Sequence, residues 1–458
     1  MSTRREFLVA AAGGTAALAL PRFARALPAA AGEAKFVTQP TFRVPTIDVL
    51  TRAYPAPGYL FVATLNGPGQ RGPCILDDHG NVVWFKPLDK TAIDFRVQQY
   101  GGKPVLTWWE GQISQLGVGQ GEGVILDQTY TEIARVRAGN GLQADVHELL
   151  LTPKGTALVT IYNSVQRDLT AVGGPASHNT WDSIIQEIDI KTGNVLFEWH
   201  SLDHVPITDS YAPVLDPYDY FHINSIEVDY DGNLIVSARN TSAIYKIDKS
   251  TGNVMWVLGG RSSTIQMGPR VFFMYQHDAR VHPDGTLTLF DDGPGPSSQA
   301  ARAIRLGVDT VGRSAVLLQE YVHKDPLMVA AMGNAQQLAG DAMLVGWGTQ
   351  PYMTEFGPLG DVRFDAKFTG DAWNYRTFRN PWVGTPKAKP AVVVKKHVGK
   401  STVYASWNGS TQTAYWRIDG KTFPRNGFET VMSVPGHPAS VTALDKHHRP
   451  LSGGSTRV

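Results

Sequence analysis

The sequence predicts an all-β chain, a six-bladed β-propeller followed by a small C-terminal β-sandwich of immunoglobulin or fibronectin type. Three observations carry this. A four-strand unit recurs along the chain, tight glycine turns separate its strands, and no helical period of useful length competes with it. The unit is clearest where residues 225–228 run into Asp231-Gly232-Asn233, then residues 234–237 and 243–248, a Thr251-Gly252-Asn253 turn, and residues 254–258. β-Branched and aromatic residues suit the strands, and the glycines supply the positive φ that short hairpin turns need.

Taken in order, the copies fall at residues 59–85, 97–108, 149–199, 225–258, 279–290 and 336–364. That counts six blades, with five as the nearest alternative. Such repeats bury their faces only against neighbours, so a closed ring is the expected arrangement, over residues 40–383. Gly384-Thr385-Pro386-Lys387-Ala388-Lys389-Pro390 reads as a linker, and short strands fill residues 390–458 as the sandwich.

Residues 1–31 read as a targeting segment. Arg4-Arg5-Glu6-Phe7-Leu8 fits a twin-arginine signal, followed by a weakly apolar stretch and small-residue cleavage sites. The mature protein is therefore expected in the periplasm, the cell envelope or outside the cell. No later segment is apolar enough to span a bilayer, so stable membrane insertion is not expected. A net charge of +1 gives no basic field to attract nucleic acid. Cys74 is the single cysteine, within Pro73-Cys74-Ile75-Leu76, and reads as a buried strand residue that makes no internal disulfide.

Aligning the repeats on the leucine after each first turn exposes the functional signal. His147, His222 and His277 occupy equivalent slots, with Arg96 and Asn334 in the corresponding slots of two other repeats. These slots begin the innermost strands, whose ends converge on one channel mouth. Three histidines meeting there suit nucleophilic and acid–base work, because neutral imidazole is a competent nucleophile near neutral pH. Arg96 and Asn334 are expected to bind substrate at the mouth, with an ion-paired rim residue as the alternative for Arg96; Tyr220 and Phe221 are expected to stack an aromatic ring, with blade-to-blade packing as the alternative.

The segments Tyr218-Asp219-Tyr220-Phe221-His222-Ile223-Asn224-Ser225, Asp145-Val146-His147-Glu148 and Tyr275-Gln276-His277-Asp278-Ala279-Arg280 resemble the arylsulfotransferase family, in its actinobacterial and fungal branch. The resemblance extends over about residues 40–450. It implies a nucleotide-independent transfer of a sulfuryl group from a phenolic sulfate ester to a phenol, with no cofactor. It also implies that His277 is the transiently sulfurylated nucleophile, helped by His147, His222, Asn224 and Arg239. The spacings between the histidines are shorter than in the characterised bacterial enzymes, and their disulfide is missing.

Two other readings stand beside this one. Three histidines on a propeller axis suit a Zn, Fe or Cu site, although no paired cysteines or HExxH accompany them and Arg239 opposes a cation. The third reading is a non-catalytic propeller that binds an anionic or aryl ligand. Arg239 favours an anion over a metal, so no metal is expected.

Overall fold

The computed structural model of the chain describes residues 32–293 and 299–458. The leader expected at residues 1–31 lies outside the described residues. The chain is all-β, built mainly from antiparallel sheets of four principal strands. Six of these follow one another, here numbered I to VI, and two smaller sheets come after them.

Sheet IV shows how the sequence makes such a sheet. Its strands Ile223–Val228, Leu234–Ala238, Ala243–Ile247 and Val254–Gly259 pair in chain order. Gly232 sits at φ +85° in the first turn, a conformation glycine adopts without steric cost. The second strand is buried at every position, because neighbouring sheets cover both of its faces. Trp199 and Leu158 from sheet III pack there with Leu234, Val236 and Tyr245.

Two strands from outside the local order complete the array. Phe378–Asn380, from after sheet VI, pairs with Tyr59–Ala63 and becomes the leading strand of sheet I. Ile47–Arg52, from before sheet I, pairs with Val362–Phe368 on the outer edge of sheet VI. Both ends of the six-sheet segment are thus tied down by backbone hydrogen bonds. Cys74 is buried in sheet I, where burial pushes its thiol well up.

The leading strands do not hydrogen-bond to one another through their backbones, so side-chain amides bridge them. Asn334 Nδ2 donates to Thr377 O at 2.8 Å, and its Oδ1 accepts from Thr377 N at 2.8 Å. Gln336 does the same with Arg379, and Gln98 spans Leu149 and Leu151. Asn334 was expected to contact substrate; its amide is instead fully engaged in holding sheet VI to the strand that completes sheet I. All six leading strands line one 430 Å³ cavity, contributing Gln98, Leu150, Glu227, Arg280, Gln336 and Asn380.

Next to that cavity lies a buried ion network, and Arg96, Asp278 and Arg280 of that network also line the cavity. Arg376, fully buried, lies 3.0 Å from Asp94, 3.3 Å from Glu148 and 3.2 Å from Asp278. Arg280 is 2.6 Å from Glu148 and 2.7 Å from Asp278. Arg96 pairs with Glu148 and lies 3.2 Å from Asp94. Burial pushes the Glu148 carboxyl up, but Arg280, Arg376 and Arg96 outweigh it and hold the group well below the usual carboxylate range.

After the linker, a three-stranded sheet (Ala391–His397, Lys400–Ser406, Glu429–Pro435) and a four-stranded one share a buried core. Val403, Trp407, Trp416, Met432 and Val441 lie in it. This part is pinned to the start of the chain, where Thr38 N donates to Glu429 Oε2 at 2.6 Å. It also contacts sheet I, where Asn408 Oδ1 accepts from Phe85 N at 3.0 Å.

Candidate functional site

At the start of the leading strands Leu149–Leu151, Ile223–Val228 and His277–Val281, beside the ion network, the three histidines come together. His147 and His222 have ring centroids 4.8 Å apart, crossed at 78°. His277 lies close enough to both for their charges to oppose protonation of its ring. All three are buried.

Each histidine has a carboxylate at Nδ1. Asp145 Oδ2 is 2.5 Å from His147 Nδ1 and also accepts from the His147 backbone N–H at 3.0 Å. Asp219 Oδ2 bonds His222 Nδ1. Asp292 Oδ2 stands 2.9 Å from His277 Nδ1. This last separation is that of a hydrogen bond, but the geometry does not make one, and among the described residues His277 Nδ1 and both Asp292 oxygens are without a hydrogen-bond partner. For His147 and His222 the aspartate at Nδ1 fixes the proton there and leaves Nε2 with its lone pair. For His277, Nε2 accepts a long 3.3 Å hydrogen bond from Met332 N–H.

Local backbone explains how these side chains are aimed. His222 has φ +56°, in the left-handed region that non-glycine residues seldom adopt. Its carbonyl and that of Phe221 accept from Arg239 N at 2.8 Å and Asn240 N at 3.0 Å, which holds the turn. Tyr220 and Phe221 therefore point away from the axis. Both are fully buried between sheets III and IV, Phe221 lying 5.2 Å from the Tyr245 ring and 5.9 Å from Trp199. The expectation that they stack a substrate is corrected, because neither presents a face to the site.

Burial lowers the pKa of His222, with Asp219 opposing the fall. Burial lowers that of His277 much further, reinforced by the Arg239 charge. Burial pushes the Asp292 carboxyl well up, against the pull of Arg239. Arg239 itself is half-buried and makes no ion pair among the described residues. One guanidinium nitrogen donates to Ala330 O at 3.1 Å, another to Asn240 Oδ1 at 3.0 Å, and the fork lies 4.7 Å over the Tyr275 ring.

Asn224 is fully buried, and its Nδ2 donates to Gln276 O at 2.7 Å, bridging sheets IV and V as Asn334 bridges VI and I. Its Oδ1 is buried without a partner among the described residues. Arg96 belongs elsewhere. Its guanidinium donates to Glu148 and to Leu149 O at 2.8 Å within the ion network, which corrects its expected place in substrate binding.

A family model described as arylsulfotransferase (ASST) matches residues 96–369, more than half of the chain and the whole of this constellation. The chain belongs to the arylsulfotransferase family. No curated protein matches this arylsulfotransferase-family chain. Solved structures similar to it include a protein of unknown function from Bacteroides caccae, 12% identical with a TM-score of 0.43, covering 70% of this chain and 98% of that one. Hydrazine synthase from Kuenenia stuttgartiensis is 13% identical, with a TM-score of 0.39 and coverage of 84% and 94%. Virginiamycin B lyase from Staphylococcus aureus is 10% identical, with a TM-score of 0.37 and coverage of 80% and 96%.

Sequence reasoning assigned no role to the three aspartates of this arylsulfotransferase-family site. Asp145 and Asp219 had a usable signal, an acid two or three residues before a channel histidine. Asp292 had none, since nothing separates it from Asp291, which pairs with Arg302 at 3.0 Å.

Proposed function

We propose that the chain is an aryl sulfotransferase that moves a sulfuryl group from a phenolic sulfate ester to a phenol through a covalent intermediate on His277, without a nucleotide donor. Its frame is read as one ring of six blades over residues 40–383, with a β-sandwich after it. Supporting the ring are the six consecutive sheets, the shared axial cavity and the borrowed strands at each end. The observation that carries the activity is Arg239, a cation without an ion pair among the described residues, set beside three histidines whose Nδ1 atoms face carboxylates.

In the first half-reaction the Nε2 lone pair of His277 attacks sulfur, and the N–S bond forms as the bond from sulfur to the phenolic oxygen breaks in line. The departing oxygen takes a proton from the His147–His222 pair, one ring of which enters the step as imidazolium, with its aspartate at Nδ1 and the transferable proton on Nε2. In the second, the acceptor phenol returns a proton to that pair while its oxygen attacks sulfur and breaks the N–S bond. Charge spreads over the sulfuryl oxygens, where Arg239 stabilises it. The Met332 N–H, displaced from Nε2, is placed to donate to one of them. Because its pKa is depressed, His277 stays neutral and nucleophilic well below the ordinary imidazole range.

The direct test incubates the mature protein with an aryl sulfate, with and without added phenol, and follows phenol release. No release under either condition overturns the reading. Arg239→Ala should lower kcat/KM by ~10²–10³-fold, typical for loss of one preorganised donor. Arg239→Lys should restore little, since a point charge lacks the fork; full rescue by lysine would show that only net charge matters. Asp292→Asn should leave KM for the donor nearly unchanged while kcat falls on the order of 10²–10⁴-fold, because the acid that faces Nδ1 at 2.9 Å and would bond it as the ring gains charge is lost. Equal changes in KM and kcat would instead assign Asp292 a packing role. The leader at residues 1–31 supports export by the twin-arginine route, which N-terminal sequencing of secreted material tests.

A further inference from the structure

Sheet III is longer than its place in the array requires. Its strands Thr156–Arg167 and His178–Asp189 have 12 residues each, while the leading strand beside them, Leu149–Leu151, has 3. Pairing with the leading strand ends at Val159, and Asp145 N reaches Thr160 O, so the hairpin beyond residue 160 projects past the histidine end of the axis. Sheet II sends up its own hairpin between Lys103–Ile113 and Gly119–Leu126. Between the two projections lies a 560 Å³ cleft.

The lining of this cleft is chemically distinctive. It contains no Lys, Arg, Asp, Glu or His. Gln112, Gln120, Gln143 and Asn163 line it, and among the described residues none of these side chains is engaged in a hydrogen bond. Elsewhere in the fold the amides of Asn224, Gln98, Gln336 and Asn334 are all committed to holding sheets together. Two aromatic rings, Tyr162 and Trp181, also line the cleft, 5.6 Å apart and crossed at 86°. Tyr162 is the link to the chemistry, since its ring lies 5.5 Å from His147 and 5.7 Å from His222.

We propose that this cleft seats the uncharged, hydroxyl-rich part of the phenolic substrate, a sugar carried on the aryl ring, while the phenol oxygen reaches the histidines. This rests on the sulfotransferase reading. Uncommitted amides match hydroxyl groups as both donors and acceptors, and the aromatic faces take the apolar side of a pyranose. The volume falls within the range of small-molecule sites, and the absence of charge disfavours an anionic substituent.

The test compares 4-hydroxyphenyl β-D-glucoside with 4-methoxyphenol, which carries the same phenol without the sugar. Binding to the mature protein is followed by calorimetry, and transfer with 4-nitrophenyl sulfate as donor. The glucoside should bind at least tenfold more tightly and be the better acceptor. Asn163→Ala and Gln143→Ala should each cut the glucoside-to-methoxyphenol ratio roughly fivefold, about one hydrogen bond, and Trp181→Ala should lower it further. All three side chains are at least partly exposed, so the fold should survive, which a melting curve checks. Equal binding of the two phenols, or a ratio indifferent to these substitutions, overturns the proposal. Variant-sensitive glucoside binding without any sulfuryl transfer would keep the cleft and sink the sulfotransferase reading instead.

Discussion

Replacing His277 with alanine should abolish turnover, with a loss on the order of 10⁴–10⁶-fold in kcat, the scale seen when a covalent nucleophile is removed. The companion measurement is intact mass. Donor alone should add one sulfuryl group to the native protein, added phenol should remove it, and the alanine variant should never acquire it. The geometry makes the expectation specific to His277. Its pKa is depressed further than that of His222, through burial first and the Arg239 charge second. Its Nε2 accepts from the Met332 N–H, so the lone pair lies there. His147 and His222 are tightly bonded to their own aspartates and sit edge to face, which suits carrying a proton. Persistent labelling of His277→Ala would move the nucleophile to one of them.

Glu148→Ala should destabilise the fold by about 3–5 kcal/mol, the cost of leaving buried charge without its partner. Glu148 is fully desolvated and is the common acceptor for Arg96, Arg280 and Arg376. Its removal leaves three guanidinium groups sharing Asp94, Asp278 and, for Arg280, Glu227 at 3.1 Å. Denaturant unfolding of the native and variant proteins reads the change, with the near-UV signal of the buried tryptophans as probe. Glu148→Gln keeps much of the shape and should show how much of the loss is charge. An unchanged midpoint for both would mean that water or rearranged acids neutralise the arginines, and that the network contributes little.

The four-strand repeat was legible because its turns carry their own chemistry. Asp-Gly and Thr-Gly-Asn mark hairpins whatever the rest of the molecule does, and the strands between them have no competing helical period. The equivalent slots of His147, His222 and His277 followed from the same register. What the sequence concealed depends on contacts made only when the sheets assemble. Arg96 faces Glu148 because sheets II and III lie side by side, and Arg376 enters the axis from beyond sheet VI. Tyr220 and Phe221 sit beside His222 in sequence, but its left-handed backbone sends them into the layer between sheets. Asp292 reaches His277 across a hairpin, a pairing that no local spacing announces. Asn224 and Asn334 resembled ligand-binding amides because an amide that bridges strands and one that meets a substrate look alike in sequence.

The arginine–carboxylate network also governs traffic. If the six sheets form the proposed ring with its chemistry at the histidines, the network would close the axis just beneath them, and substrates would enter from one face only. A ring with a clear bore would let donor and acceptor arrive from opposite sides and occupy the chamber together. On that reading both would pass through a single doorway, and the spent phenol would back out before its successor enters. The two half-reactions would then be separated in time by plain exclusion of space. A phenol that enters too early, before the histidine carries its cargo, would block the donor, so an excess of acceptor is expected to inhibit the reaction it feeds, which initial rates at rising phenol concentration check.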